Sequence, residues 1–242
     1  PVLRDIKRIS AAVEELTYVN MGATAVGTGI NADVEYVKNV VRILSEVTGF
    51  EFKQSPDLVD GTRNLDSFVW LSSALKTCAV NLSKTANDIR LMASGPKAGL
   101  AEILLPQQQP GSSIMPGKVN PVIPEVLNQV CFQIFGNDIT ITKAAEAGQL
   151  ELNVFEPVLF FNLFQSIEIL KNGIITFIEN CLKGITAQEE NCKYWVDRSV
   201  GIITALNPHI GYKNAAEIAK ESIKTGVPVA QIVLQRGLLS KE

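Results

Sequence analysis

Leu71-Ser-Ser-Ala-Leu-Lys-Thr-Cys-Ala-Val-Asn-Leu-Ser-Lys-Thr-Ala-Asn-Asp-Ile89 spaces Leu71, Leu75, Cys78, Leu82, Ala86 and Ile89 three or four residues apart. At that spacing side chains stack on one face of an α-helix, so the stretch predicts a long helix with one core-facing stripe. The same spacing recurs in Ile6, Ile9, Val13 and Leu16, in Val37, Val40, Leu44 and Val47, and in Leu127, Val130, Ile134 and Ile141. From Pro157 through Ile178 the chain is apolar on nearly every side. Such a helix must be enclosed by other helices, from this chain or from further copies. No run alternates apolar and polar residues for long, so the expected fold class is mainly α, a long-helix bundle.

Composition bounds what such a bundle can do. Of 242 residues, 46% are hydrophobic and 19% charged, ample for a buried core and too apolar for a disordered chain. The formal net charge of −3, with Lys and Arg scattered, leaves no basic field for nucleic acid, so any anion site must be local. Cys78, Cys131, Cys181 and Cys192 lie far apart without CxxC spacing, and His209 is the single histidine, so no metal site is expected. Reduced, buried thiols in a cytoplasmic protein are the simpler reading. Apolar runs such as Val158-Leu-Phe-Phe161 are too short to span a bilayer, and no membrane partner is expected.

Near Gly184 the character changes to short helical segments broken by Asn207-Pro208, Gly211, Gly226-Val-Pro228 and Gly237. We therefore expect a bundle domain over 1–186, holding a long loop at 106–125, and a small C-terminal helical domain over 187–242. The start at Pro1 and the serine cap in Ser240-Lys-Glu242 read as a fragment, with the bundle incomplete on its N-terminal side and the small domain truncated.

That loop contains Gly111-Ser-Ser-Ile-Met-Pro-Gly-Lys-Val-Asn-Pro-Val-Ile-Pro-Glu125, rich in donors and poor in bulk. By composition alone it is a Gly/Pro-rich surface turn. As chemistry, Gly111 and Gly117 permit backbone angles that turn successive N–H groups into one concavity, where a carboxylate fits. Lys118 adds a positive charge and Asn120 directional hydrogen bonds.

The fifteen residues resemble the signature of the aspartase/fumarase superfamily, and the resemblance runs from Asn20-Met-Gly-Ala-Thr-Ala-Val-Gly-Thr-Gly-Ile-Asn31 to Ala205-Leu-Asn-Pro-His-Ile-Gly-Tyr212. It implies that Ser112 is the general base and Ser113 a substrate-contacting neighbour. Lys118, Asn120 and the backbone of Val119 would hold the substrate carboxylate. Gly111 and Gly117 would be the hinges of a mobile loop. Glu125 would partner a histidine from another segment, which this chain lacks, since His209 falls in a structural turn. Taken alone, Glu125 is also a first-turn carboxylate that stabilises a helix N-terminus. The resemblance further implies a homotetramer whose active sites combine three motifs from three subunits, so this chain by itself should be inactive.

A serine hydroxyl is a poor base, and its pKa must fall by several units at about 1.4 kcal/mol per unit. Glycine-turned N–H dipoles and the Lys118 ammonium are the local field that could contribute to this. The implied reaction removes a proton beside a carboxylate to give an aci-carboxylate, stabilised as its charge develops. Ala145-Glu-Ala-Gly-Gln-Leu-Glu-Leu-Asn-Val-Phe-Glu-Pro157 resembles the aspartate ammonia-lyase branch at Gln149-Leu150 and Glu156. Deamination of L-aspartate to fumarate without redox or organic cofactor is therefore expected. The rivals are a fumarate hydratase and a non-catalytic helical scaffold of the same fold. Gly27-Thr-Gly-Ile-Asn-Ala32 has the Gly-x-Gly-x-x-Ala form of a dinucleotide fingerprint, but helix rather than strand precedes it, so it reads as a connector.

Overall fold

The computed structural model describes residues 1–95, 97–109, 115 and 119–239. Among them are ten α-helices and four strands of two residues each. The helices are α1 (Val2–Glu15), α2 (Val34–Thr48), α3 (Leu58–Arg63), α4 (Asp66–Met92), α5 (Val122–Glu146), α6 (Glu156–Asn180), α7 (Glu189–Arg198), α8 (Ile203–Ile210), α9 (Tyr212–Thr225) and α10 (Val229–Gln235). The mainly α expectation holds. Asp60-Gly61 and Asn172-Gly173, dipeptides that favour hairpin turns, sit inside α3 and α6 instead. The chain divides into two compact units, Pro1–Arg90 with Gln107–Lys183, and Leu91–Pro106 with Gly184–Glu242.

In the first unit α4, α5 and α6 form the core, each longer than twenty residues. Leu71, Leu75, Cys78, Ala86 and Ile89 are buried as their spacing predicts, and Leu82 is half-buried. They share the core with Leu127, Cys131, Ile134 and Ile141 of α5 and with Leu159, Leu163, Leu170 and Phe177 of α6. Gly173 lets α6 approach α5: a Cβ there would lie 3.3 Å from a Val130 methyl. Buried polar groups tie the pairs together. Asn137 Nδ2 donates to Ser166 Oγ at 3.0 Å, and Asn128 Nδ2 donates to Ser83 Oγ at 2.9 Å.

Helix α1 departs from the sequence reading. Its stripe faces the core only in part: Ile9 and Leu16 are half-buried, but Ile6 and Val13 are exposed, with Val2 and Leu3, while Asp5 and Ala12 are buried. Asn81 Nδ2 on α4 donates to both oxygens of Asp5 at 2.9 Å, and Arg8 adds an ion pair at 2.7 Å. A carboxylate with these partners can be buried without an unpaired charge, and this contact fixes the rotation of α1.

Helices α4, α5 and α6 also expose apolar side chains away from the shared core. Trp70 and Val80 do so on α4, Phe132 and Ile139 on α5, and Phe161 and Phe164 on α6. Among the described residues, α6 with its short extension to Gly184 is long and apolar enough to cross a membrane by length and composition. The Asn162 backbone carbonyl and Ser166 Oγ of this helix both accept from Asn137 Nδ2 of α5.

The glycine-rich connector between α1 and α2 follows a two-residue strand and not helix alone, a difference from the sequence reading. Strand β1 (Tyr18–Val19) pairs in parallel with β2 (Lys53–Gln54), and Asp33 caps α2 by accepting from Glu35 N and Tyr36 N. Gly27 has φ of +85°, and a Cβ on it would meet Val59 Cα of α3 at 2.2 Å, so glycine is required by close approach to α3.

The second unit has its own core of Ile210, Ala215, Ile218, Val229, Ile232 and Val233 from α8, α9 and α10. Segment 91–106, which the sequence reading grouped with the bundle, packs here instead. Its strand β3 (Ile103–Leu104) pairs antiparallel with β4 (Thr186–Ala187). Trp195 Nε1 and Asn191 Nδ2 of α7 donate to the carbonyls of Leu100 and Ala101 at 2.8 and 2.9 Å. Asn207-Pro208-His209 lies within α8, with Pro208 inside the helix, and Gly211 at φ +78° ends it.

Candidate active site

The described part of the sequence-predicted site lies where Val119, Asn120 and Pro121 lead into α5. Asn120 O accepts from Val122 N at 2.9 Å, and Glu125 N donates to Pro121 O at 3.1 Å, so the chain turns into the helix at once. Pro121 and Pro124 set this entry, because proline suits a first helical turn, where N–H groups have no helical partner. Val119 is exposed and Asn120 half-buried at this junction. Gly111, Ser112, Ser113, Gly117 and Lys118 lie outside the described residues.

Glu125 stands in the first turn of α5, as expected of a helix-stabilising carboxylate. Its neighbour is a cation that sequence reasoning missed. Arg90, in the last turn of α4, places Nη2 3.7 Å from Glu125 Oε1. Arg90 Nη1 also donates to Asn128 Oδ1 at 3.2 Å and to Asn87 Oδ1 at 3.3 Å. Asn128 is buried, and its amide nitrogen donates to Ser83 O and Oγ. A continuous polar chain therefore runs from Ser83 through Asn128 and Arg90 to Glu125. One signal was available in the sequence: Asn128 follows Glu125 by three residues and so shares its helix face.

A cleft of about 490 Å³ in the same unit is lined by Glu15, Asp57, Asp60, Asp66, Glu156 and Phe160, among others. Its acidic lining repels a dicarboxylate, so we do not assign substrate to it. Glu156, singled out in the sequence for its resemblance to one branch of the superfamily, lies there. Among the described residues no three His, Cys, Asp or Glu side chains form a group that could hold a metal ion.

A mainly helical fold built on long helices is shared with solved structures of a known group of enzymes. The family described as Lyase matches residues 1–136, and the one described as Fumarase C C-terminus matches residues 202–242. The chain belongs to this lyase family. It is 58% identical to an aspartate ammonia-lyase of a Bacillus species over 241 residues, 100% of this chain and 52% of that protein. With the aspartate ammonia-lyase of Bacillus subtilis (strain 168) it shares 59% identity over 239 residues, 99% of this chain and 50% of that protein. Among solved structures, the fumarate lyase:delta crystallin from Brucella melitensis bound to cobalt aligns with a TM-score of 0.93 at 46% identity, covering 98% of this chain and 51% of that one. The chain thus spans about half the length of the curated relatives it matches.

Proposed function

We propose that the whole protein is an aspartate ammonia-lyase, converting L-aspartate reversibly to fumarate and ammonia by anti-elimination. The observation that supports this most is the 58–59% identity, along essentially the entire chain, with two proteins bearing that name. Gln149-Leu150 and Glu156 support the same branch by resemblance.

In this reading Ser112 takes the proton from C3, and the electron pair of that C–H bond enters the neighbouring carboxylate as an aci-carboxylate. Lys118, Asn120 and the Val119 amide stabilise that doubly charged group as it forms, and Ser113 contacts the substrate. The pair then returns to make the C2–C3 double bond, and the C–N bond breaks with its electrons leaving on ammonia. Gly111 and Gly117 hinge the loop that brings these groups to the substrate, and Glu125 partners the histidine of another segment.

The same reading makes the active protein a homotetramer with active sites shared between subunits. Its support is the apolar side chains on α4, α5 and α6 that face away from the chain's own core. A cytoplasmic location is proposed with it, in keeping with four unpaired thiols of which three are buried.

The test uses the whole protein. Fumarate's ultraviolet absorbance should rise with L-aspartate and stay flat with L-malate. A rise with malate alone would instead establish a fumarate hydratase, the reading favoured by the match of residues 202–242. Ser112→Ala should abolish nearly all turnover while the assembly persists. A wild-type protein that assembles and turns over neither substrate would be a helical scaffold.

A further inference from the structure

We propose that Arg90 is a positioning residue for the Glu125 carboxylate, a role that rests on the lyase reading of this site. The two residues come from different helices, α4 and α5. Arg90 ends the part of α4 that belongs to the first unit, and Glu125 stands in the first turn of α5. Their separation of 3.7 Å makes an ion pair.

The pair is held from one side only. Asn87 and Asn128 both accept from Nη1, Asn128 is anchored on Ser83, and Nη2 is left to face Glu125. A planar guanidinium fixed at one nitrogen by two amide oxygens presents its other nitrogen in a defined direction, which a lysine ammonium cannot do. The guanidinium therefore faces the carboxylate from a defined direction, at ion-pair and not hydrogen-bond distance. Arg90 Nε is buried and has no hydrogen-bond partner among the described residues.

Stability alone is a poor explanation for the arrangement. Arg90 and Glu125 are 40% and 39% exposed, and pairs so open to water contribute little to folding. Arg90 does lie in the last turn of α4, where a cation favours the helix dipole, but any lysine would serve that purpose. The amide clamp gains meaning if the direction of Glu125 matters, as it must for a carboxylate that orients a catalytic histidine.

The experiment is a double-mutant cycle in the whole protein with Arg90→Ala, Arg90→Lys and Glu125→Gln, following kcat, KM and thermal unfolding. Wild-type turnover of L-aspartate is measured first, and the cycle runs on L-malate if that is the substrate, so an error in the substrate assignment stays separate from an error about Arg90. Arg90→Ala should lower kcat about tenfold with KM changed less than about threefold, because orientation is lost and ground-state binding is not. Arg90→Lys should recover only part of that loss. In the Glu125→Gln background Arg90→Ala should change kcat less than about twofold, since the group it positions is already gone. Equal losses in both backgrounds, full rescue by lysine, or an effect on KM alone would overturn the proposal. So would the absence of any turnover in the wild-type protein.

Discussion

Lys76 Nζ on α4 lies 2.5 Å from Asp138 Oδ2 on α5, and Ser72 Oγ one turn earlier donates to Asp138 Oδ1 at 2.7 Å. The carboxylate is nearly enclosed, at 6% exposure of its side chain, whereas Lys76 keeps 41%. A charge buried to this extent needs its partners, and the two it has set the register of α4 against α5.

Lys76→Met should therefore destabilise the first unit by about 2 kcal/mol, less than the ~3–5 kcal/mol of a fully buried pair because Lys76 is partly solvated. Lys76→Met combined with Asp138→Leu should recover most of that loss. Urea unfolding followed by circular dichroism measures both, and a double variant no more stable than Lys76→Met would refute the argument.

Phe161 and Phe164 are 65% and 63% exposed on α6, opposite to its buried Leu159, Leu163 and Leu170. If other subunits cover this face, Phe161→Asp with Phe164→Asp should shift sedimentation towards smaller species and leave helicity intact. An unchanged assembly would show that the face is not an interface.

Burial pushes the Cys78 thiol from 9.0 up to about 11, with the Asp5 carboxylate adding to it. Burial likewise pushes Cys131 up to about 11, with Cys78 adding and a backbone hydrogen bond at Ser83 opposing. Between those values the unfolded chain releases protons that the folded chain keeps. Stability is then fully present below about pH 9 and falls towards pH 11, at most by about 1.4 kcal/mol per pH unit for each thiol. Chemical unfolding from pH 8 to 11 should show a decline that shrinks in Cys131→Ala. At pH 8 a thiol reagent should reach half-buried Cys192 first and Cys78 and Cys131 only on unfolding.

Ile218 is fully buried in the α8–α10 core of the second unit. Ile218→Ala should cost that unit about 2–5 kcal/mol through lost transfer energy and a residual cavity. Hydrogen exchange should quicken in α8, α9 and α10 and stay unchanged in α5 and α6. A uniform change along the chain would mean that the two units unfold as one.

Much of this architecture is legible in periodicity. The spacing of Leu71 to Ile89 and the apolar run after Pro157 specify long helices, because a repeat near 3.6 residues leaves one stripe for burial. The signature run also marks the entry to α5, since its residue types and spacing are visible in one dimension. Less was legible for α1, where Ile6 and Val13 point outward. Its pattern shows a stripe but does not say what covers it, and the pairing of Asp5 with Asn81 across 76 positions decided the rotation.

By itself, then, the amino-acid order determined the helices, the likeness of Gly111–Glu125 to a family's signature and the residues offered for chemistry. Only the tertiary structure placed segment 91–106 with the C-terminal helices and Arg90 beside Glu125. The physical reason is range. Helical order follows from contacts three or four residues apart, whereas a buried carboxylate or an ion pair draws on groups tens of residues away, which local patterning does not encode.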